Sequence, residues 1–304
     1  MLAGLGLALA GPAVAAETNR LDAAMEAFRK GRSVEALRIA DLGLKEDPKN
    51  TRLLNAKAQI HQLTGDYDEA EKDLTAAIRL ESDSGWLYQE RAQIRFRLGR
   101  VESSVADFDR AVELTPKLGP LNWQRGIALY YVGRFADARK QFELHRTVNP
   151  DDVENAAWHF LCAAREQGIE KARAGLMPIR GDTRVPMAQI HDLFAGKIRS
   201  KEVLDAADDG PATAATPVEK PAAAATPEEI DARLARSLRI RNQRFYAYFY
   251  LALYSEAKGD AEGAEENIRM SLFFSDPANY MGVVAKVHAD RLAAKRASKP
   301  EAKP

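Results

Sequence analysis

The sequence predicts an all-α protein built as an array of helix–turn–helix hairpins, and three classes of position in one register predict it. Glycines suited to tight turns recur at Gly31, Gly65, Gly99 and Gly133, a step of 34 residues. Small residues follow at the same step, at Ala36, Ala70, Ser104 and Ala138. Helix-stopping residues close each unit, at Pro48, Ser82, Pro116 and Pro150. Glycine carries no Cβ to oppose a left-handed turn, and proline blocks continuation of a helix. A single hairpin cannot bury both faces of its helices, so such units fold by stacking.

Composition bounds the function classes. The chain of 304 residues carries 44 basic and 44 acidic side chains, a formal net charge of zero, which speaks against a nucleic-acid binder. Its one cysteine, Cys162, sits in the apolar run AAWHFLCAA and reads as a small core residue; no intrachain disulfide is possible. Residues 1–16 read as a signal peptide. The apolar run has the length of such a segment, and Ala13-Val14-Ala15 offers a small-residue cleavage site. No Lys or Arg precedes Arg20, so the usual basic start is missing. The run is too short to span a bilayer, and no cysteine follows it to carry a lipid. The expectation is a periplasmic or secreted protein without a stable membrane anchor.

Residues 17–150 hold four repeats. The first has Leu21, Ala24, Met25 and Phe28 at helical spacing, then Gly31, then VEALRIADLGL. The second pairs LLNAKAQIHQL with EAEKDLTAAIRL, and the third pairs WLYQERAQIRFRL with VADFDRAVEL. In the fourth, Gly126 marks a place where a partner helix comes close, and Ala138 and Phe142 share one face of the second helix. Residues 151–200 read as a divergent fifth repeat, its turn glycine Gly168 one place late, followed by the loop MPIRGDTRVP and the helix MAQIHDLFAGK. Residues 206–227 collapse to Ala, Pro, Thr and Asp and read as a disordered linker. Thr226-Pro227-Glu228-Glu229 then starts a helix, with Thr226 as N-cap. A further repeat turning at Gly259 and a capping helix fill 228–295, and 296–304 form a disordered tail.

No nucleophile elbow, phosphate loop or HExxH motif occurs, and the five histidines lack metal-ligand spacing, so no enzyme activity, metal or cofactor is expected. Asp182, Arg184 and His191 offer a polar trio, with an ion pair bracing the loop as the plainer reading. Arg233, Arg236, Arg239, Arg241 and Arg244 form a basic run placed toward a helix C-terminus.

A 34-residue helical hairpin of this pattern resembles the tetratricopeptide repeat (TPR) family. The resemblance implies a superhelical array whose first helices line a groove for protein or peptide ligands. By that resemblance the groove carries Arg52, Asn55, Gln59 and Gln62, then Trp86, Gln89, Gln93, Phe96 and Arg97, then Trp123, Ile127, Tyr130 and Tyr131. The partner-binding set drawn from these is Asn55, Gln59, Gln62, Trp86, Gln89, Gln93, Arg97, Trp123 and Tyr130. Amide and aromatic side chains suit an extended peptide. The two-carboxylate clamp of chaperone-binding members is missing, since Leu21, Met25, Ala56, Trp86 and Glu90 stand at its positions. The layout also looks like the NlpI-type bacterial envelope TPR proteins, which implies a homodimeric adaptor, or alternatively an accessory subunit of an envelope protease or cell-wall hydrolase.

One electrostatic pattern crosses the repeats. Arg91 and Arg125 hold the seventh position, and Asp73 and Asp107 hold the twenty-third position of the preceding repeats. Stacking predicts the pairs Asp73–Arg91 and Asp107–Arg125.

Overall fold

The computed structural model describes residues 12–208 and 226–298, and the helices occupy two compact units, residues 1–116 and 117–304. The expected signal peptide, linker and tail fall mostly outside the described residues; of their described parts, residues 12–16 belong to the first helix, and residues 206–207 and 296–297, expected to be disordered, are helical. All regular structure among the described residues is helical.

The first unit is three hairpins: α1 (Pro12–Arg29) with α2 (Ser33–Glu46), α3 (Thr51–Thr64) with α4 (Tyr67–Leu80), and α5 (Gly85–Arg97) with α6 (Val101–Leu114). The periodic glycines end the first helices. Gly65 is the C-cap of α3 at φ 88°, a left-handed conformation that disfavours any Cβ. Ala36 and Ala70 are fully buried where the helices of a hairpin approach. Ser104 replaces that alanine in the third repeat, and its hydroxyl donates to the Ala92 carbonyl at 2.7 Å, so the buried oxygen is satisfied. Between hairpins, Leu54, Leu74, Ile78, Leu87 and Ile94 share one core cluster.

The predicted cross-repeat pairs do not form as drawn. Arg91 forks both oxygens of Asp107 at 2.8 Å, inside its own repeat. Arg91 Nη1 reaches back to the Thr75 hydroxyl at 3.1 Å. Lys57 follows the same rule, lying 3.6 Å from Asp73 of its own repeat and 2.8 Å from Asp41 of the repeat before. The acid at position 23 therefore faces its own hairpin, and position 25 faces the next. Two residues along a helix turn it by about 200°, which places them on opposite sides. Within repeats the charge pattern is complete: the first has Ala23 and Ile39, the second Lys57 and Asp73, the third Arg91 and Asp107.

The second unit opens with a 3-10 turn (Pro116–Leu121), then α7 (Trp123–Tyr131) and α8 (Phe135–His145). Arg125 donates to Gln141 at 2.9 Å, the neutral form of the same bond. Gly126 admits the Phe142 ring so closely that a Cβ would stand 2.6 Å from it, which bears out the close approach expected there. The fifth repeat keeps a full first helix, α9 (Val153–Gln167), but its second helix shrinks to α10 (Ile169–Ala174). After a loop come α11 (Met187–Phe194) and α12 (Ser200–Ala207); α12 was not anticipated. Thr226 forms a full capping box with Glu229 at the start of α13 (Pro227–Ala257). This helix runs unbroken for 31 residues and packs on α14 (Ala261–Phe274), and α15 (Tyr280–Ala297) follows. The basic run thus lies in the first part of α13, not near its C-terminus. The terminus that receives a cation is that of α14, where Arg241 donates to the carbonyls of Phe274 at 3.1 Å and Ser275 at 2.6 Å.

Candidate functional site

The first-helix faces of the two units differ in what they present. In the first unit Gln59 is exposed, Trp86 is about half exposed (52%), and Asn55, Gln62, Gln89 and Gln93 are partly exposed. Arg97 lies over the Tyr67 ring at 5.6 Å, so part of its surface serves packing. Behind this face, Asp107 also takes a bond from Arg95 at 2.8 Å, and Arg95 reaches Glu71 at 2.7 Å. Arg100 closes that network through Glu71 and Asp68. Amide and indole groups are displayed on helices where Arg91 and Arg95 are paired behind them, while burial alone raises the carboxyl of Glu90.

In the second unit the equivalent face is covered by the chain's own α13 and α15. Tyr130 is 6% exposed and packs edge-on to Tyr131, Phe135 and Trp158 with centroids 5.3–5.4 Å apart. Trp158 in turn meets Phe249 of α13, and Tyr131 meets His288 of α15. The expectation that Tyr130 presents its ring in an open groove is therefore corrected: burying the ring area of this cluster outweighs leaving it to solvent. Trp123 differs, standing partly exposed at the lip of a cleft, edge-on to Tyr280 at 5.2 Å.

That cleft, of about 360 Å³, is walled by Trp123 and Ile127 of α7, Phe142 and His145 of α8, Asn155 and Trp158 of α9, and Tyr246 of α13. Its polar side is built where α9 begins. Asp152 caps the helix, accepting from the Glu154 amide at 3.0 Å. Asp182, from the loop before α11, accepts from the Val153 amide at 3.2 Å. Arg184 joins them, meeting Asp152 at 2.7 Å, Glu154 at 2.7 Å and Asp182 at 2.6 Å. Tyr250 donates its hydroxyl to the other Glu154 oxygen at 3.1 Å. Burial, with Asp152 adding to it, lifts the Glu154 carboxyl to about 7, against the pull of Arg184.

Of the sequence trio, Asp182 and Arg184 come together and brace the loop against α9. His191 does not join them; its Nε2 lies 2.9 Å from the Met177 carbonyl. Asp152 and Glu154 were missed because two acids at a helix start look like ordinary capping. Their partner Arg184 stands 32 and 30 residues further along the chain. Cys162 is fully buried, and burial pushes its thiol well up, as suits a core residue. A second cavity, of about 570 Å³, lies between α7 and α15, where Glu256 pairs with Lys295 at 2.5 Å and Arg165 at 3.5 Å. No group of His, Cys, Asp or Glu suited to hold a metal ion, and no helix long and apolar enough to cross a membrane, occurs among the described residues.

Comparison with known proteins agrees with this architecture. A tetratricopeptide repeat family model matches residues 21–85 and 55–118. The Protein SGT1 homolog of Bos taurus is 28% identical over 105 residues, 34% of this chain and 31% of that protein. A FAM10 family protein of Arabidopsis thaliana is 32% identical over 92 residues, 30% of this chain and 21% of that protein. The chain thus spans no more than about a third of the curated relatives' length. Among solved structures, a tetratricopeptide repeat protein from Parabacteroides merdae superposes with TM-score 0.52 at 14% identity, covering 91% of this chain and 99% of that one. YrrB, described as a TPR protein with an unusual peptide-binding site, gives TM-score 0.51 at 19% identity over 62% of this chain and 100% of its own. Residues 21–118 are thus tetratricopeptide repeats, and the hairpin of α7 and α8 takes their 34-residue step once more.

Proposed function

We propose that the protein is a non-catalytic adaptor of the bacterial envelope that binds extended segments of protein partners on the first-helix face of residues 51–97. The observation that carries the reading is the display of Gln59 and half-exposed Trp86 beside Asn55, Gln62, Gln89 and Gln93, with Arg91 held behind them by Asp107. Primary amides can bond both donors and acceptors of a peptide backbone, and an exposed indole gives its side chains an apolar platform. The envelope assignment is supported by the composition of residues 1–16 and by the NlpI-like layout. The peptide-binding site named for YrrB is in keeping with it.

The test is site-specific photocrosslinking in cells. A photoreactive residue at position 59 or 86 should capture discrete partners from the envelope fraction. The same residue at Lys72, exposed on α4, should not. Gln89→Ala with Gln93→Ala should weaken capture with helicity and melting temperature unchanged. Equal capture at position 72, or recovery of the chain only from the cytoplasm, would defeat the reading.

A further inference from the structure

The cleft at the start of α9 is acidic, aromatic and incompletely satisfied. Three carboxylates, Asp152, Glu154 and Asp182, share the single guanidinium of Arg184. Asp152 and Asp182 also accept backbone N–H groups of α9, whose positive end offsets their charge. Glu154 accepts no backbone N–H; it takes Arg184 Nη1 and the Tyr250 hydroxyl, and the three acids still outnumber the one guanidinium. The Glu154 side chain is 16% exposed and borders the cleft. A buried carboxylate that lacks its own counter-charge holds its proton toward neutrality, as Glu154 does.

A second observation is independent of these charges. Asn155 and Trp158 also line the cleft and are 4% and 1% exposed. The Asn155 amide nitrogen donates to the Phe142 carbonyl at 3.0 Å, which fixes the orientation of the amide and leaves its oxygen without a partner. The Trp158 indole nitrogen likewise has none. A buried acceptor of this kind is normally bonded, so the Asn155 oxygen points to a ligand that donates to it; the Trp158 N–H is a donor and carries no part of the preference for a cation. The rings of Trp123, Tyr246 and Tyr280 form part of the remaining wall, with Ile127, Phe142 and His145 beside them, and Arg184 reaches the cleft only with its guanidinium held by the three acids. Aromatic faces, a surplus carboxylate and an unused amide oxygen are all acceptors for a cation.

We propose that this cleft binds the basic side chain, arginine or lysine, of a partner peptide. Glu154 takes the charge, Asn155 accepts one N–H, and the aliphatic stem lies along the edge-on pair of Trp123 and Tyr280 at the lip. An acidic or phosphorylated segment is disfavoured by the same carboxylates. The inference deepens the adaptor reading by adding a specificity pocket in the second unit, and it stands on different residues from the face of 51–97.

The chain holds three tryptophans, Trp86, Trp123 and Trp158, so three indole N–H signals report on both places at once. The full chain, labelled with nitrogen-15, is titrated with a capped glycine–serine heptapeptide carrying one central arginine, and with its neutral citrulline counterpart. The arginine peptide should move the Trp123 and Trp158 signals and bind at least about 5-fold more tightly than the citrulline peptide. Glu154→Gln should remove most of that preference with helicity unchanged. Tyr280→Leu, at the partly exposed lip, should weaken both peptides and serves as the check if the first variant folds poorly. Equal binding of the two peptides, or no movement of Trp123 and Trp158, overturns the proposal. A shift confined to Trp86 overturns it while leaving the adaptor reading in place. Movement of Trp123 and Trp158 without crosslinking at positions 59 and 86 does the reverse.

Discussion

The third and fifth repeats start from the same hairpin plan and put their inner faces to opposite uses. In the third, α5 spends its polar positions on a buried charge network: Asp107, 5% exposed at its side chain, holds Arg91 twice and Arg95 once. Its outward face keeps Gln89, Gln93 and Trp86 accessible to different degrees. In the fifth, α9 is buried from Asn155 to Ala163, and Phe249 of α13 packs on its Trp158. The second helix, α10, has only six residues, so less of a hairpin partner remains and the C-terminal helices supply the burial. A repeat that loses one helix must find its packing elsewhere, and the face normally open to a ligand is what closes.

The largest expected effect breaks this contrast at Trp158. Trp158→Ala empties a site ringed by Tyr130, Tyr131 and Phe249 and should cost about 3–5 kcal/mol. Hydrogen exchange should quicken in α9, α13 and α15 while protection in α3 to α6 is unchanged. Equal loss of protection in α3 to α6 would show that the two regions do not have separate cores.

The next compares the charged and neutral forms of one bond. Asp107→Ala leaves Arg91 and Arg95 beside an empty site, with side chains only 11% and 19% exposed, and should cost about 3 kcal/mol by denaturant unfolding. Gln141→Ala removes the neutral equivalent, which bonds Arg125 at 2.9 Å and the Gly119 carbonyl at 2.7 Å, and should cost about 1–2 kcal/mol. Replacing both partners, Arg91→Met with Asp107→Leu, should recover much of the first loss. A double variant as unstable as Asp107→Ala would mean that the network does more than satisfy its own charges.

The turns, hairpins and the Thr226 cap were legible because each is decided within a few residues. A positive-φ glycine, a capping box or a Gly126 facing Phe142 leaves a local mark. The ion pairs were legible as residue types but not as partners: a two-residue offset on α6 or α4 turns a side chain to the other hairpin. α12 escaped because eight residues with two buried positions, Val203 and Ala207, give too little periodicity beside an alanine-rich stretch. The cleft was the least legible part. Arg184 was singled out, yet Glu154 and Asp152 stand 30 and 32 residues away, and Tyr246 and Tyr280 arrive from helices further still.

The smallest expected effect concerns pH, where two buried groups of the second unit act with opposite sign. The Glu154 carboxyl titrates near 7 in the folded chain, above its ordinary 4.5. Between these values the folded state holds a proton that the unfolded state has released, so this stabilisation is full below 4.5 and is lost as pH rises through 7. Burial pushes the His288 imidazole the other way, from 6.5 down to about 4, with Glu256 only partly offsetting it. Here the unfolded state takes up the proton first, so stability is full above 6.5 and is lost as pH falls toward 4. The two slopes oppose each other between 4.5 and 6.5, each amounting to at most about 3 kcal/mol over its whole range. Stability of the unaltered chain should therefore vary little across that window. Glu154→Gln should raise the melting temperature relative to the parent at pH 8 and lose that advantage by pH 4.5, because the parent carboxyl is then protonated as well. His288→Gln, compared with itself across pH, should gain stability between pH 6.5 and 4.5, where the parent changes little, because only the Glu154 slope remains. A Glu154→Gln advantage that persists unchanged at pH 4.5 would assign the gain to packing rather than to the proton, and would remove the surplus charge on which the cleft's cation preference depends.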